Sequence, residues 1–97
     1  MKMTVSKQKA KNRSVKFALK ATDAKEVYLV GDFNNWTVGA HHMKNDGKGI
    51  WTKTVLLPEG EFGYKFFVDN QWLIDPQNER VCLNCFGSYN NIVRVNI

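Results

Sequence analysis

No apolar run in the 97 residues approaches the ~20 that a membrane-spanning helix requires, and no apolar segment follows the charges near the N-terminus. Neither a membrane span nor a signal peptide is expected, and a cytoplasmic protein is the expectation. Cysteine is scarce, with Cys82 and Cys85 making one C-x-x-C. A zinc ribbon needs a second pair, and a thioredoxin-like motif should open a helix after a strand; neither context is present. His41 and His42 are the only histidines, and neighbours on a strand point to opposite faces, so they make poor joint ligands. No metal and no cofactor are expected, and the two thiols read as free and structural. Acids are missing from one region. Residues 1–20 hold seven of the fourteen basic side chains and no Asp or Glu, so the other 77 residues carry seven basic and nine acidic groups. The net charge of +5 therefore comes from the leading segment, and the body is mildly acidic. With no aromatic interleaved among its first lysines, residues 1–13 read as a flexible basic leader, and nucleic acid is not expected as a partner.

Aromatics, by contrast, are plentiful: six Phe, three Tyr and three Trp in one domain-sized chain. The most informative stretch is Tyr64-Lys65-Phe66-Phe67-Val68-Asp69-Asn70-Gln71-Trp72-Leu73-Ile74-Asp75-Pro76. An aromatic and β-branched run is broken by Asp69-Asn70 and stopped by Pro76, which predicts a strand, a tight turn and a second strand. Period two puts Tyr64, Phe66 and Val68 on one face and Lys65 and Phe67 on the other. The first face suits a core. Whether Phe67 packs beneath an outer platform or sits at a sheet edge stays open on this pattern.

Further strands are predicted over residues 14–20, where Val15, Phe17 and Leu19 alternate with polar neighbours, and over 26–31, a continuous apolar run expected either to be buried on both faces or to lie centrally in its sheet. Residues 50–57, 62–68, 80–83 and 92–97 follow the same logic. Trp51 reads as structural. Residues 38–43 form a weak segment, 45–49 a turn with Asp-Gly chemistry, and Pro58-Glu59-Gly60-Glu61 another turn with two solvated acids. Seven to eight short strands with turn signals every eight to twelve residues predict an all-β, immunoglobulin-like antiparallel sandwich over residues 14–97.

Three predicted loops carry large aromatics beside neutral hydrogen-bonding residues: Trp36 after Asn34 and Asn35, Trp72 after Gln71, and Phe86 before Ser88, Asn90 and Asn91. Phe33 is expected to turn inward beneath its loop. Trp36 is either presented by that loop or packed at a sheet end, and the two asparagines before it favour presentation. Loops of a sandwich converge at sheet ends and edges, so these segments can share one surface. Such a surface suits sugars, whose C–H faces lie flat on indoles while neutral amides, hydroxyls and an ammonium group meet the hydroxyl rim. Burying ~80 Å² of apolar area per stack contributes about 2 kcal/mol before ordering costs.

The runs Lys25-Glu26-Val27-Tyr28-Leu29-Val30-Gly31-Asp32-Phe33-Asn34-Asn35-Trp36, Leu57-Pro58-Glu59-Gly60-Glu61, Tyr64 to Trp72 with Asp75-Pro76, and Asn90-Asn91-Ile92-Val93 resemble the glycogen-binding domain of AMP-activated protein kinase β subunits. That domain belongs to carbohydrate-binding module family 48, together with the N-terminal modules of isoamylases and branching enzymes. The resemblance covers residues 14–97 and implies non-catalytic binding of an α-1,4-linked glucan, glycogen or starch-like. It implies Trp36 and Trp72 as stacking platforms, Lys65 and Asn90 as hydroxyl binders, and Ser88 where the family commonly has Thr. Phe86 departs from the pattern, standing where the kinase domain has a Leu that enters the curve of the glucan helix.

The expected partner is thus an α-glucan polysaccharide or oligosaccharide, with a glucan-metabolising enzyme or kinase complex as a further partner. The alternative expectation is a structural or protein-docking module within such an assembly. Catalysis is not expected. Glycoside hydrolysis needs two carboxyl groups flanking one bond, and the acids here fall mostly on turns, with no nucleophile, base and orienting group in a recognisable arrangement.

Overall fold

Period-two alternation writes most of the architecture. The computed structural model describes residues 12–96, and in them the predicted runs become strands β1 (Arg13–Lys20), β2 (Val27–Gly31), β3 (Lys44–Asn45), β4 (Ile50–Leu57), β5 (Gly60–Val68), β6 (Gln71–Leu73), β7 (Val81–Leu83) and β8 (Tyr89–Val95). They form two antiparallel sheets, one ordered β1-β4-β3 and the other β2-β5-β8-β7, with β6 also paired to β5. The result is the expected all-β sandwich. The predicted leader lies outside the described residues except for its last two positions, and Arg13 already belongs to β1, opposite Leu57.

β5 is the hub of the larger sheet. Along one edge, residues 64–68 pair with β2; along the other, residues 60–64 pair with β8 and residues 66–68 with β6. Its inward side chains Tyr64 and Phe66 meet Phe17, Leu19, Leu29, Trp51, Leu57 and Val95 in one apolar cluster. Each such fully buried side chain stabilises the fold by roughly 1.5–3 kcal/mol. Trp51 is structural, as expected: it is buried and its indole N–H donates to the Ala21 carbonyl at 3.0 Å. β2 and β5 approach so closely that a Cβ on Gly31 would fall 2.5 Å from the Gly63 carbonyl oxygen, which reserves position 31 for glycine.

Several expectations need correction or choice. Of the two readings of residues 26–31, the structure selects burial on both faces: β2 stands at the end of its sheet order, yet Val27, Leu29 and Val30 are fully buried. Its free edge is covered by the segment expected to be weak, through Leu29 N–H to the His41 carbonyl and Met43 N–H to the Val27 carbonyl, both 2.9 Å. That pairing also draws Met43 into the core, at 1 % exposure. Asn45, expected in a turn, pairs with Trp51 at the end of β3. Asn90 and Asn91, expected in a loop, lie inside β8 opposite Cys82 and Val81.

Tyr64 anchors the segment after β6. Its hydroxyl donates to Asp75 Oδ2 at 2.8 Å and accepts from Asn78 Nδ2 at 3.0 Å. Burial, reinforced by the Asp75 carboxylate, pushes the phenol far above its usual proton affinity. Fully buried Asn91 completes the network, accepting from the Asp75 N–H and donating to the Asn78 carbonyl at 3.0 Å.

Candidate functional site

The outer face of β5 is where the sequence left an ammonium and an aromatic without a core to fill. Three connections rise over it, and each has a local reason for its shape.

The first leaves β2 at Gly31 and enters a 3-10 turn at Asp32–Asn34. Asn34 holds that turn from within: its Oδ1 accepts from the Gly31 N–H at 3.0 Å, and its Nδ2 donates to the Leu29 carbonyl at 3.0 Å. Asn35 and Trp36 then both adopt positive φ, 55° and 57°, and the Trp36 N–H closes back on the Gly31 carbonyl at 2.9 Å. Phe33 turns inward as expected, 5.6 Å from Phe17 between ring centroids. Trp36 is half-buried over the sheet, its indole N–H donating to Asp32 Oδ1 at 2.8 Å.

The second connection is the two-residue hairpin Asp69-Asn70, both at positive φ, the geometry whose twist suits adjacent strands. The Asp69 carboxylate accepts the backbone N–H groups of Lys25 and Glu26 at 2.9–3.1 Å, tying the turn to the approach to β2. The resulting register sets Trp72 opposite Phe67, with ring centroids 4.8 Å apart and planes at 59°. This decides the question the pattern left open: Phe67 packs beside Trp72 on the outer face. Trp72 is 49 % exposed, and its ring lies 6.5 Å from that of Trp36, also at 59°.

The third connection is the β7–β8 hairpin, built around Asn84. Asn84 Oδ1 accepts from the Phe86 and Ser88 N–H groups at 2.9 and 3.1 Å, while its Nδ2 lies 2.9 Å from Ser88 Oγ and 3.0 Å from Asn90 Oδ1. One amide side chain therefore orients the whole polar rim. Phe86 stands at the tip, 89 % exposed. Cys82 and Cys85 are free and exposed, so they are not packed as structural thiols. No group of three or more His, Cys, Asp or Glu able to hold a metal exists among the described residues.

Between these connections lies a groove of about 490 Å³, lined by Trp36, Lys65, Trp72, Phe86, Ser88 and Asn90, together with Asn84 and Cys85. All six residues named from the sequence thus share one cavity. Lys65 is less exposed than its outward position suggests, at 9 %, and it lines the groove together with Trp36 and Trp72. Its ammonium donates to Ser88 Oγ at 3.1 Å and sits 6.0 Å from the Trp72 ring centroid. Among the described residues, no acidic side chain lines the groove. The site offers two tilted indoles, an exposed phenyl ring, one cation and a row of neutral amide and hydroxyl groups. That combination matches a ligand with apolar faces and an uncharged hydroxyl rim.

Sequence reasoning missed Asn84, Cys85 and Asp32. Asn84 carries a readable signal, an Asn three residues before a Gly at a predicted hairpin. It also included Asn91 with the surface amides, whereas strand alternation turns that side chain inward.

Residues 14–97 match the family model described as the glycogen recognition site of AMP-activated protein kinase. The human 5'-AMP-activated protein kinase subunit beta-1 is 46% identical over 72 residues, covering 73% of this chain and 25% of that one. The mouse subunit beta-2 is 42% identical over 71 residues, with the same two shares. The matched stretch is thus about a quarter of the length of these curated relatives. Among solved structures, a maltogenic amylase from S. marinus superposes with a TM-score of 0.76 at 23% identity, over 90% of this chain and 14% of the amylase. At that identity the likeness speaks for the fold.

Proposed function

Because this chain belongs to the family defined by the glycogen recognition site of AMP-activated protein kinase, we propose that it is a non-catalytic module that holds an α-1,4-linked glucan, glycogen or starch-like, in the groove above β5. The observation that carries this reading is the convergence of Trp36 and Trp72, 6.5 Å apart and tilted by 59°, with Lys65, Ser88 and Asn90 at their side. Two inclined platforms suit successive sugar rings of a curved chain better than those of a flat ribbon. Trp36 and Trp72 stack on pyranose faces, Lys65 and Asn90 bind hydroxyls, and Ser88 presents the Lys65 ammonium. Phe86 serves as a third apolar surface at the groove's open end.

Stacking of two rings at about 2 kcal/mol each, less ordering costs, gives micromolar to millimolar affinity for a short oligosaccharide. The match to a glycogen recognition site supports binding without hydrolysis. A glucan-metabolising enzyme or kinase assembly is the natural setting for such a module, since the relatives at 42–46% identity are named as kinase subunits.

Affinity electrophoresis in gels containing glycogen tests the proposal. Wild-type protein is expected to be retarded, and retardation should persist in high salt, because neutral stacking and hydrogen bonds carry it rather than phosphate-type charge contacts. Trp36→Ala and Trp72→Ala should each run nearly free. Wild-type protein that migrates unretarded, or mutants retarded as strongly as wild type, would refute the assignment.

A further inference from the structure

We propose that Asp32 is the positioning residue of this platform: its carboxylate clamps the Trp36 indole onto the central strand at Gly63 and thereby sets the face that Trp36 offers to sugar. The inference rests on the glucan-binding reading above.

A backbone group at the end of the β2–β5 ladder needs a partner. β2 and β5 pair as far as Gly31 opposite Tyr64. One further step of the ladder would set residue 32 against Gly63, but the chain leaves the strand there for its 3-10 turn. The N–H of buried Gly63 would be stranded, and an unpaired buried donor is costly. Asp32 Oδ2 takes it at 2.6 Å. The other oxygen, Oδ1, takes the Trp36 indole N–H at 2.8 Å. A single ionised side chain thus substitutes for the missing strand partner and fastens the ring to the strand through two charge-assisted bonds.

Two further observations agree. Asn35 and Trp36 both have left-handed backbone conformations, which side chains with a Cβ adopt only when surrounding contacts hold them there. Gly63 supplies the floor: a Cβ built on it would lie 3.6 Å from Trp36 Cζ2 and 3.3 Å from Asp32 Oδ2, so the benzo edge of the indole rests directly over this part of β5. One chemical consequence follows. The only polar atom of the Trp36 side chain is spent on Asp32, so this ring recognises sugar through its apolar surface alone, and hydroxyl recognition falls to the ammonium and amide groups across the groove.

The test combines a signal that needs no ligand with one that does. The Trp36 and Trp72 rings are close enough and suitably inclined to give an exciton couplet in far-ultraviolet circular dichroism. Wild-type protein should show it, and Trp36→Ala and Trp72→Ala should lose it. Asp32→Ala should lose or strongly reduce the couplet while keeping the β-sheet signal, and its retardation by glycogen should fall about tenfold. In a Trp36→Ala background, with glycogen in the gel raised until Trp36→Ala is itself retarded, the same change should cost less than about twofold more, since the clamp then holds nothing. Asp32→Asn keeps one acceptor and should fall between, and it carries the same cycle if Asp32→Ala does not fold. A wild-type couplet and wild-type affinity in Asp32→Ala would overturn the proposal, as would an equal affinity loss with and without Trp36. Should wild-type protein fail to bind glycogen, the functional reading falls alone, and the couplet still decides whether the clamp exists.

Discussion

Asn90 and Asn91 are the same residue type one position apart on β8, yet Asn91 is fully buried and Asn90 lines the groove. Asn91 spends its amide on the protein, on the backbone groups of Asp75 and Asn78, and so fixes the segment after β6 against the core. Asn90 meets Asn84 at its oxygen and lines the cavity. The same division runs along β5, where Phe66 fills the core and Phe67 sits beside Trp72 on the outer face. A strand separates the two tasks by one residue, and polarity does not announce which is which. An amide can serve the interior when every one of its bonds is met, and an aromatic can serve the surface when a ligand face will cover it.

The sharpest way to test that division is to delete one member of each pair. Phe66→Ala should cost roughly 3–5 kcal/mol of stability by urea unfolding, as expected for a large side chain removed from a packed core. Trp72→Ala should leave stability within about 1 kcal/mol and instead weaken glycogen retardation by an order of magnitude or more, corresponding to about 2 kcal/mol of stacking. A Trp72→Ala protein as unstable as Phe66→Ala would erase the distinction between the faces.

The asparagine pair should show the same split at smaller amplitude. Asn91→Ala leaves an N–H and two carbonyl groups of the 75–78 turn without their partner and should destabilise by about 2–3 kcal/mol. Asn90→Ala should change stability by less than about 1 kcal/mol while lowering glycogen affinity several-fold, the loss of a single neutral hydrogen bond. Equal unfolding midpoints for the two mutants would break the comparison.

The smallest effect concerns pH. Asn34 Nδ2 already donates to the Leu29 carbonyl, and its second hydrogen meets His41 Nδ1 at 2.9 Å, so that nitrogen must act as acceptor and the ring be neutral. Burial, and secondarily the charge of Lys53, holds His41 below its ordinary value of 6.5. The unfolded chain therefore binds the proton more readily than the native protein. Stability from this group is complete above the unfolded value and declines as pH falls below it toward the native one. Solvent screening keeps the decline small. Urea unfolding at pH 7 and pH 5 should show it in wild type, and His41→Gln, which retains an acceptor, should flatten it; an identical pH slope in both would separate the Trp36 loop from His41.

Much of the fold was legible because its signals are local. Alternation marked Phe17, Leu19, Tyr64 and Phe66 as core, and Asp69-Asn70 marked a hairpin whose register depends on two residues tolerating positive φ. The six candidate site residues were legible through residue type and resemblance, and they do line one groove. Other features escaped because their cause lies far along the chain. Met43 enters the core only because residues 41–43 cover the free edge of β2. Asp32 matters because β2 stops one residue short of Gly63, thirty-one positions away.

The amino-acid sequence by itself determined most of the strands and turns and the presence of aromatics in excess of a core, because these follow from side-chain period and backbone preference within a few residues. Tertiary structure alone decided which amide faces inward, what lies beside Trp72, and how Trp36 is held over β5. Those outcomes depend on pairing register between distant segments, and a shift of one residue would send every side chain to the opposite face.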